Sequence, residues 1–540
     1  MSPLTGTGAL VGLAVRRDRV TVLAWVAGLA FFAAATTALW AADFGDPADL
    51  LRETRITATS PGIRLLGLAS GASVGAYAMV RNFVLLAVLA ALMSIFSVTR
   101  HTRQSEETGR TELVRAAVVG RHAALAAALI VTVAADVVLA FALGGALLLT
   151  GRPVAGSFAA GCAVGAVGIA FAGIAAVTGQ LSGSARGANG QAAGVLGAAF
   201  LAAGVGNMAG TVDPTGLRVT SAWPAWLSPI GWGQQVRPFG GDHWWPPALH
   251  VVVLLGATAA AVLLTERRDF GLGVLAQRPG PAHAGPVLRR TTGLALRLQR
   301  GALLGWSAGL LGFGLIMGGL IGQVADATGT ARDWYVRMGG SDEIVDAYRA
   351  SILQMAAMAA AMYAVQVLLR LRAEEAGGPL EPVLATAVSR LRWTAGHLAA
   401  AVAGVVVLLL LFAVGAGVAA GAVLGDPAGQ TATLVSAALV QIPAVLVIAA
   451  VVVALCGARP GAAAAVSWAA LVAAIVIGPL FGPTLRLPQW AQDLSPFTHA
   501  PRAPALPVPA TPVLVLLAVA ATLTLTGLLT LRRRDLVLPA

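Results

Sequence analysis

The sequence predicts an all-α integral membrane protein with about twelve transmembrane helices in two parallel six-helix repeats. Three observations predict it. First, 57% of the 540 residues are hydrophobic and only 11% are charged. Apolar runs such as 20–40 and 402–424 reach the roughly 20 residues that one helix needs to cross a bilayer. Closed barrels, the other spanning solution, need short alternating segments instead. Second, the charge gathers at the ends of these runs. Third, the two halves of the chain repeat one another.

Taken in order, the apolar runs place spans at 20–42, 79–99, 122–149, 155–178, 190–210 and 247–265, then at 302–323, 351–370, 394–423, 432–455, 462–483 and 511–531. An even number puts both termini on one side. All 36 basic residues are arginine, and 24 of them fall on the side that carries the termini. By the positive-inside rule that side is the cytoplasm. The localisation expected is therefore the plasma membrane, multi-pass, with both termini cytoplasmic. Charge placed at span ends argues against a nucleic-acid partner. Cys162 and Cys456 both lie in or beside spans, so no disulfide framework is expected. Arg16, Arg17 and Arg19 precede a full-length span without a cleavage motif, which argues against a removable signal. The segment 10–19 has the composition of an interfacial amphipathic helix. Trp223, Trp226, Trp232, Trp244 and Trp245 form an aromatic belt before the sixth span. Within it "PAWLSPIGWG" suggests a broken or re-entrant segment.

The repeat is read directly. "GLAVRRDRVTVLAWVAGL" (12–29) and "GLALRLQRGALLGWSAGL" (293–310) share ten of eighteen positions without a gap. Arg81 then meets Arg349, Glu106–Glu107 meets Glu374–Glu375, Glu112 meets Glu381 after a one-residue slip, and "LSP" at 227–229 meets "LSP" at 494–496. The halves expected are 1–268 and 286–540, joined by a Pro- and Gly-marked cytoplasmic linker at 269–285.

Between the second and third span of each half lies a charged strip, "RQSEETGRTELVRAAVVGR" (103–121) and "RAEEAGGPLEPVLATAVSR" (372–390). From Thr111 the first reads as a short helix on which Glu112 and Arg115 can pair. Such a helix has too little apolar surface to fold alone, so a partner's groove would complete it. The alternative is a solvated connecting loop. Duplication of the acids favours docking, with Glu106, Glu107, Glu112, Arg115, Glu374, Glu375 and Glu381 as the contact residues.

These features together resemble the membrane subunits of type-2 ABC exporters, and are most similar to the bacterial permeases described as polyketide-antibiotic (tetronasin-type) exporters. The carrying motifs are the basic segment into "LAWVAGL", the two strips and "WLSPIGW". The resemblance implies that 4–19 and 286–300 are interfacial elbow helices and that the strips are short cytoplasmic coupling helices. It further implies separate cytoplasmic ABC ATPase subunits, two copies, which bind ATP and Mg. The cargo implied is a lipophilic small molecule. A P-loop needs the lysine of G-x-x-x-x-G-K-[ST], and this chain contains no lysine. It is therefore expected to be a permease without its own nucleotide site, not an enzyme, and with no cofactor or metal of its own. The second strip departs from the first: Pro379 and Pro382 replace helix formers, and Gly378 stands where Arg110 is expected.

Asp136 falls near the middle of the third span, where a carboxyl has to face the protein interior. It reads either as a substrate or helix-packing contact with Arg81 or Asn82, or as an acid tolerated in a wet crevice. Gly161 and Gly165 form a G-x-x-x-G pair suited to close helix packing. The rival to an ATP-driven exporter is a proton-driven secondary multidrug transporter of 6+6 architecture, for which Asp136 alone makes a thin relay.

Overall fold

The computed structural model describes residues 2–269, 271–275, 282, 283, 285–325, 336, 343–479 and 487–535. Among them, 11 helices are long and apolar enough to cross a membrane. The chain divides into two compact units, Met1–Gly280 and Pro281–Ala540. The first contains α1 (Thr7–Asp43), α2 (Val74–His101), α3 (Ala123–Leu149), α4 (Val154–Leu181), α5 (Ala185–Met208) and α6 (Pro247–Arg267). The second contains α7 (Thr291–Gly319), α8 (Ile344–Leu368), α9 (Arg390–Leu424), α10 (Pro427–Ala458), α11 (Ala463–Ile477) and α12 (Ala510–Arg533). α11 has 15 residues, and 480–483, the end of the span expected there, lie outside the described residues.

Two expectations about local structure change. The basic segment at the N-terminus is not a separate elbow helix. It runs unbroken into the first span, giving a helix of 37 residues. At 1.5 Å per residue that is about 55 Å, well beyond a hydrocarbon core of about 30 Å. The first turns, with Arg16, Arg17 and Arg19, therefore project past the apolar run. Likewise only a 3₁₀ turn, Pro286–Arg289, precedes the unbroken α7. The tenth span, by contrast, is interrupted. Its two helical pieces are Pro427–Leu439 and Ile442–Ala458, with Val440 and Gln441 between them. Pro443 has no N–H to give and stands in the first turn of the second piece.

Serine starts several of these helices. Ser73 caps α2 at Ala76 N, Ser184 caps α5 at Gly187 N and Ser389 caps α9 at Arg392 N. Glycine sets how closely the helices pack. A Cβ at Gly161 would sit 2.0 Å from the Ala140 carbonyl oxygen, and one at Gly165 2.8 Å from that of Asp136. This glycine face is what lets α4 press against α3. In the second unit Gly314 and Gly318 play the same part, 2.3 and 2.1 Å from the carbonyl oxygens of Phe412 and Ala416.

The Trp- and Pro-rich segment before α6 is broken backbone, as its composition suggests. A two-stranded hairpin pairs β1 (Thr211–Val212) with β2 (Val219–Thr220). A 3₁₀ turn (Trp223–Leu227) and a short helix (Pro229–Gln235) follow. The short helix is buried: a Cβ at Gly233 would lie 2.6 Å from Phe83 of α2 and 3.1 Å from Val167 of α4. Ser228 Oγ donates to Ala199 O at 2.6 Å and accepts from Gly231 N, satisfying the break. Asn207 donates to Gln234 Oε1, Ser221 to Asn207 Oδ1 and Gln235 to Ser221 Oγ, at 2.7–2.9 Å. In the second unit Ser495 of the other "LSP" donates to Ala474 O of α11 at 2.7 Å. Trp226 and Trp245 stack at 5.6 Å on the exposed side of this segment.

Candidate functional site

Each charged strip folds back on its own unit. In the first, α2 ends at Thr102, whose hydroxyl returns to Val98 O. A short helix, Arg103–Glu107, follows. Arg103 is 1% exposed and donates to Gly179 O at the end of α4, to Leu272 O and to Glu106. Arg268, directly after α6, grips the same Glu106 with both Nη atoms, at 2.6 and 3.0 Å, and gives its Nε to Gln180. Two guanidinium groups thus fill one carboxylate, the strongest geometry open to such a pair. Glu107 accepts from Ala185 N at 2.9 Å, placing an anion at the positive end of α5. Gly109, with φ +72°, then turns the chain into a second short helix, Arg110–Arg115.

The second unit repeats the device. Arg534, directly after α12, holds Glu375 with two bonds of 2.6 Å and also donates to Cys456 O at the end of α10. Arg372 stands 3.8 Å from the same carboxylate. Glu374 takes hydrogen bonds from Arg370 Nε at 2.8 Å and Trp393 Nε1 at 3.1 Å, with His397 Nε2 at 3.3 Å. Gly378, φ +89°, makes the turn into Leu380–Leu384.

This geometry corrects the correspondence read from sequence. Glu106 matches Glu375, since each sits three residues after a partner arginine and is held by the arginine ending its unit's last helix. Gly378 matches Gly109, both left-handed, and not Arg110. Glu112 and Glu381 then correspond in the same register, and no slip is required. Opposite Arg110 stands Pro379.

Of the residues expected to dock a partner, Glu106, Glu374 and Glu375 turn inward and are filled by their own unit. Glu107, Glu112 and Glu381 are exposed. The side chain of Arg115 lies outside the described residues, and with it the expected pair with Glu112. Sequence reasoning missed the gripping partners Arg103, Arg268 and Arg534, and also Asp18, which is 3% exposed and pairs with Arg100 at 3.0 Å and His101 at 2.6 Å. A signal for two of them is present: "RRD" follows the last span of each half, at 267–269 and 533–535.

Inside the membrane-spanning part, Asp136 is fully buried and faces neither Arg81 nor Asn82. Ser94 of α2 lies 2.9 Å from both its carboxyl oxygens. Gly168 leaves the room, because a Cβ there would meet Asp136 Oδ1 at 2.2 Å. Arg81 instead donates to Tyr77 Oη at 2.9 and 3.2 Å, and Asn82 to Thr36 Oγ1 at 2.8 Å. Both sit about three and a half turns of α2 from Ser94, too far along the helix to reach Asp136. Its carboxyl thus sits where α2, α3 and α4 meet. It borders a cleft of about 330 Å³ between α3, α4 and α6. Phe141, Phe158, Ile169 and Val251 give that cleft apolar walls, with Trp244 and His250 at its α6 side. His250 Nε2 donates to Pro229 O of the short buried helix at 2.8 Å.

Residues 288–532 match the family "Multidrug efflux system permease Rv1217c, C-terminal domain". The full chain is similar to the multidrug efflux system permease protein Rv1217c of Mycobacterium tuberculosis (strain ATCC 25618 / H37Rv). The two are 39% identical over 541 aligned positions, which cover 99% of this chain and 96% of the relative. At that identity over nearly the whole of both chains, the protein belongs to the family of multidrug efflux system permeases.

Proposed function

We propose that this chain is the membrane permease of an ATP-driven exporter, similar to the type-2 ABC class, that moves lipophilic or amphipathic, drug-like compounds out across the plasma membrane. The observation that carries the reading is the pair of braced strips. Each is fixed to the final helix of its own unit by a bidentate arginine clamp, Glu106–Arg268 and Glu375–Arg534. A rigid element clamped in this way passes an external push to the helix it is tied to, which a solvated loop does not do. The exposed acids Glu112 and Glu381 are then the docking contacts for two copies of a separate ATPase, which supplies ATP and Mg. The relative's role in multidrug efflux supports the same direction of transport. The cleft beside Asp136 supports the cargo class, since its size and apolar walls suit a lipophilic compound.

The test is transport of a fluorescent lipophilic dye into everted membrane vesicles carrying the chain and its partner. ATP is expected to drive uptake that persists when a protonophore collapses the proton gradient. Uptake driven by a proton gradient without ATP would overturn the proposal in favour of a secondary transporter.

A further inference from the structure

We infer that the first unit carries a binding site for an anionic phospholipid, between the start of α1 and the strip. A cleft of about 260 Å³ opens there. Its apolar side is formed by Leu10 and Leu13 of α1 and Ala127 of α3, and its polar side by Arg17, Arg110 and His101. Leu10, Leu13 and Arg17 lie on one face of α1, at i, i+3 and i+7, so the helix itself grades from acyl-chain contact to cation. Arg17 and Arg110 are exposed, and among the described residues neither has a carboxylate within ion-pair distance. The nearby acid, Asp18, is already taken by Arg100 at 3.0 Å and His101 at 2.6 Å. Two uncommitted guanidinium groups above an apolar trough complement one ligand chemistry: a phosphate joined to hydrocarbon.

The second unit does not repeat this arrangement. Leu298 stands at the position of Arg17 and Pro379 at that of Arg110. Both cations are thus present in one half and absent from the other, although the clamps beside them occur in both. The site goes beyond the transport reading and does not rest on it.

Native mass spectrometry of the full-length protein in detergent tests this site. The probes are dioleoyl phosphatidylglycerol, dioleoyl phosphatidylcholine and glycerol 3-phosphate. Phosphatidylglycerol is expected to be retained over phosphatidylcholine, and Arg17→Ala/Arg110→Ala to weaken its retention roughly thirty-fold. Leu13→Trp, which fills the trough and leaves both arginines, is expected to weaken retention as well. Arg297→Ala/Arg300→Ala, in the other half, is expected to leave it unchanged. Equal retention of the two lipids, or full retention by Arg17→Ala/Arg110→Ala, would overturn the assignment. Glycerol 3-phosphate bound as well as the lipid would overturn a lipid occupant.

Discussion

A carboxylate at the edge of a low-dielectric bundle is stable only when its oxygens are filled, and Glu106 and Glu375 are filled by an arginine 162 and 159 residues away. Their position in a charged strip was legible in the sequence; their direction was not. Local spacing reports which residues share a helix face, whereas the gripping arginine belongs to another helix end. Removing that arginine leaves Glu106 to Arg103 alone and Glu375 to Arg372, 3.8 Å away. Arg534→Ala is expected to destabilise the solubilised protein by about 3 kcal/mol, and Arg268→Ala by less, because Arg103 still holds Glu106 at 2.9 Å. The exposed Arg52, paired with Asp49, is expected to cost under about 1 kcal/mol when changed to alanine. Thermal melts in detergent compare them, and the exchange Glu106→Arg/Arg268→Glu should recover part of the loss. At Asp136 the isosteric Asp136→Asn keeps an acceptor for Ser94 while replacing the ionisable carboxyl with an amide. It is expected to alter export with membrane insertion intact, measured as dye efflux at matched protein level; unchanged efflux would leave the residue as packing alone.

The helices themselves were the most legible level, since an apolar run of twenty residues admits few structures in lipid. What escaped was how they begin and break. Nothing in composition marks whether a basic amphipathic stretch stops before its span or continues into it, as α1 does over 37 residues. The break in α10 was readable from Pro443, but a proline near a span can also kink a continuous helix. The G-x-x-x-G pair on α4 was read for packing, and the carbonyls it meets give that role a measure. Gly161→Ala drives a methyl into the Ala140 carbonyl, which the backbone of α3 cannot easily evade. A loss of about 1–3 kcal/mol is expected. Gly194→Ala on α5, where a Cβ meets nothing within 4 Å, is expected to be neutral or slightly stabilising. Paired thermal melts of the two variants separate these outcomes.

For the molecule as a whole, membrane class followed from hydropathy, while function did not follow from it alone. The strips drew attention because charge is scarce in this chain, yet only their folded geometry separates acids that brace from acids that face outward. That division defines the docking test. Glu112→Arg/Glu381→Arg reverses the exposed pair and leaves both clamps in place. The most direct measurement is purification of the wild type and this variant from native membranes in mild detergent, with identification and assay of any bound P-loop ATPase. An ATPase is expected to co-purify with wild type in two copies and to be lost from the folded variant. A wild-type protein that exports dye yet carries no ATPase through purification, and whose efflux stops with a protonophore at undiminished ATP, would contradict ATP-driven export.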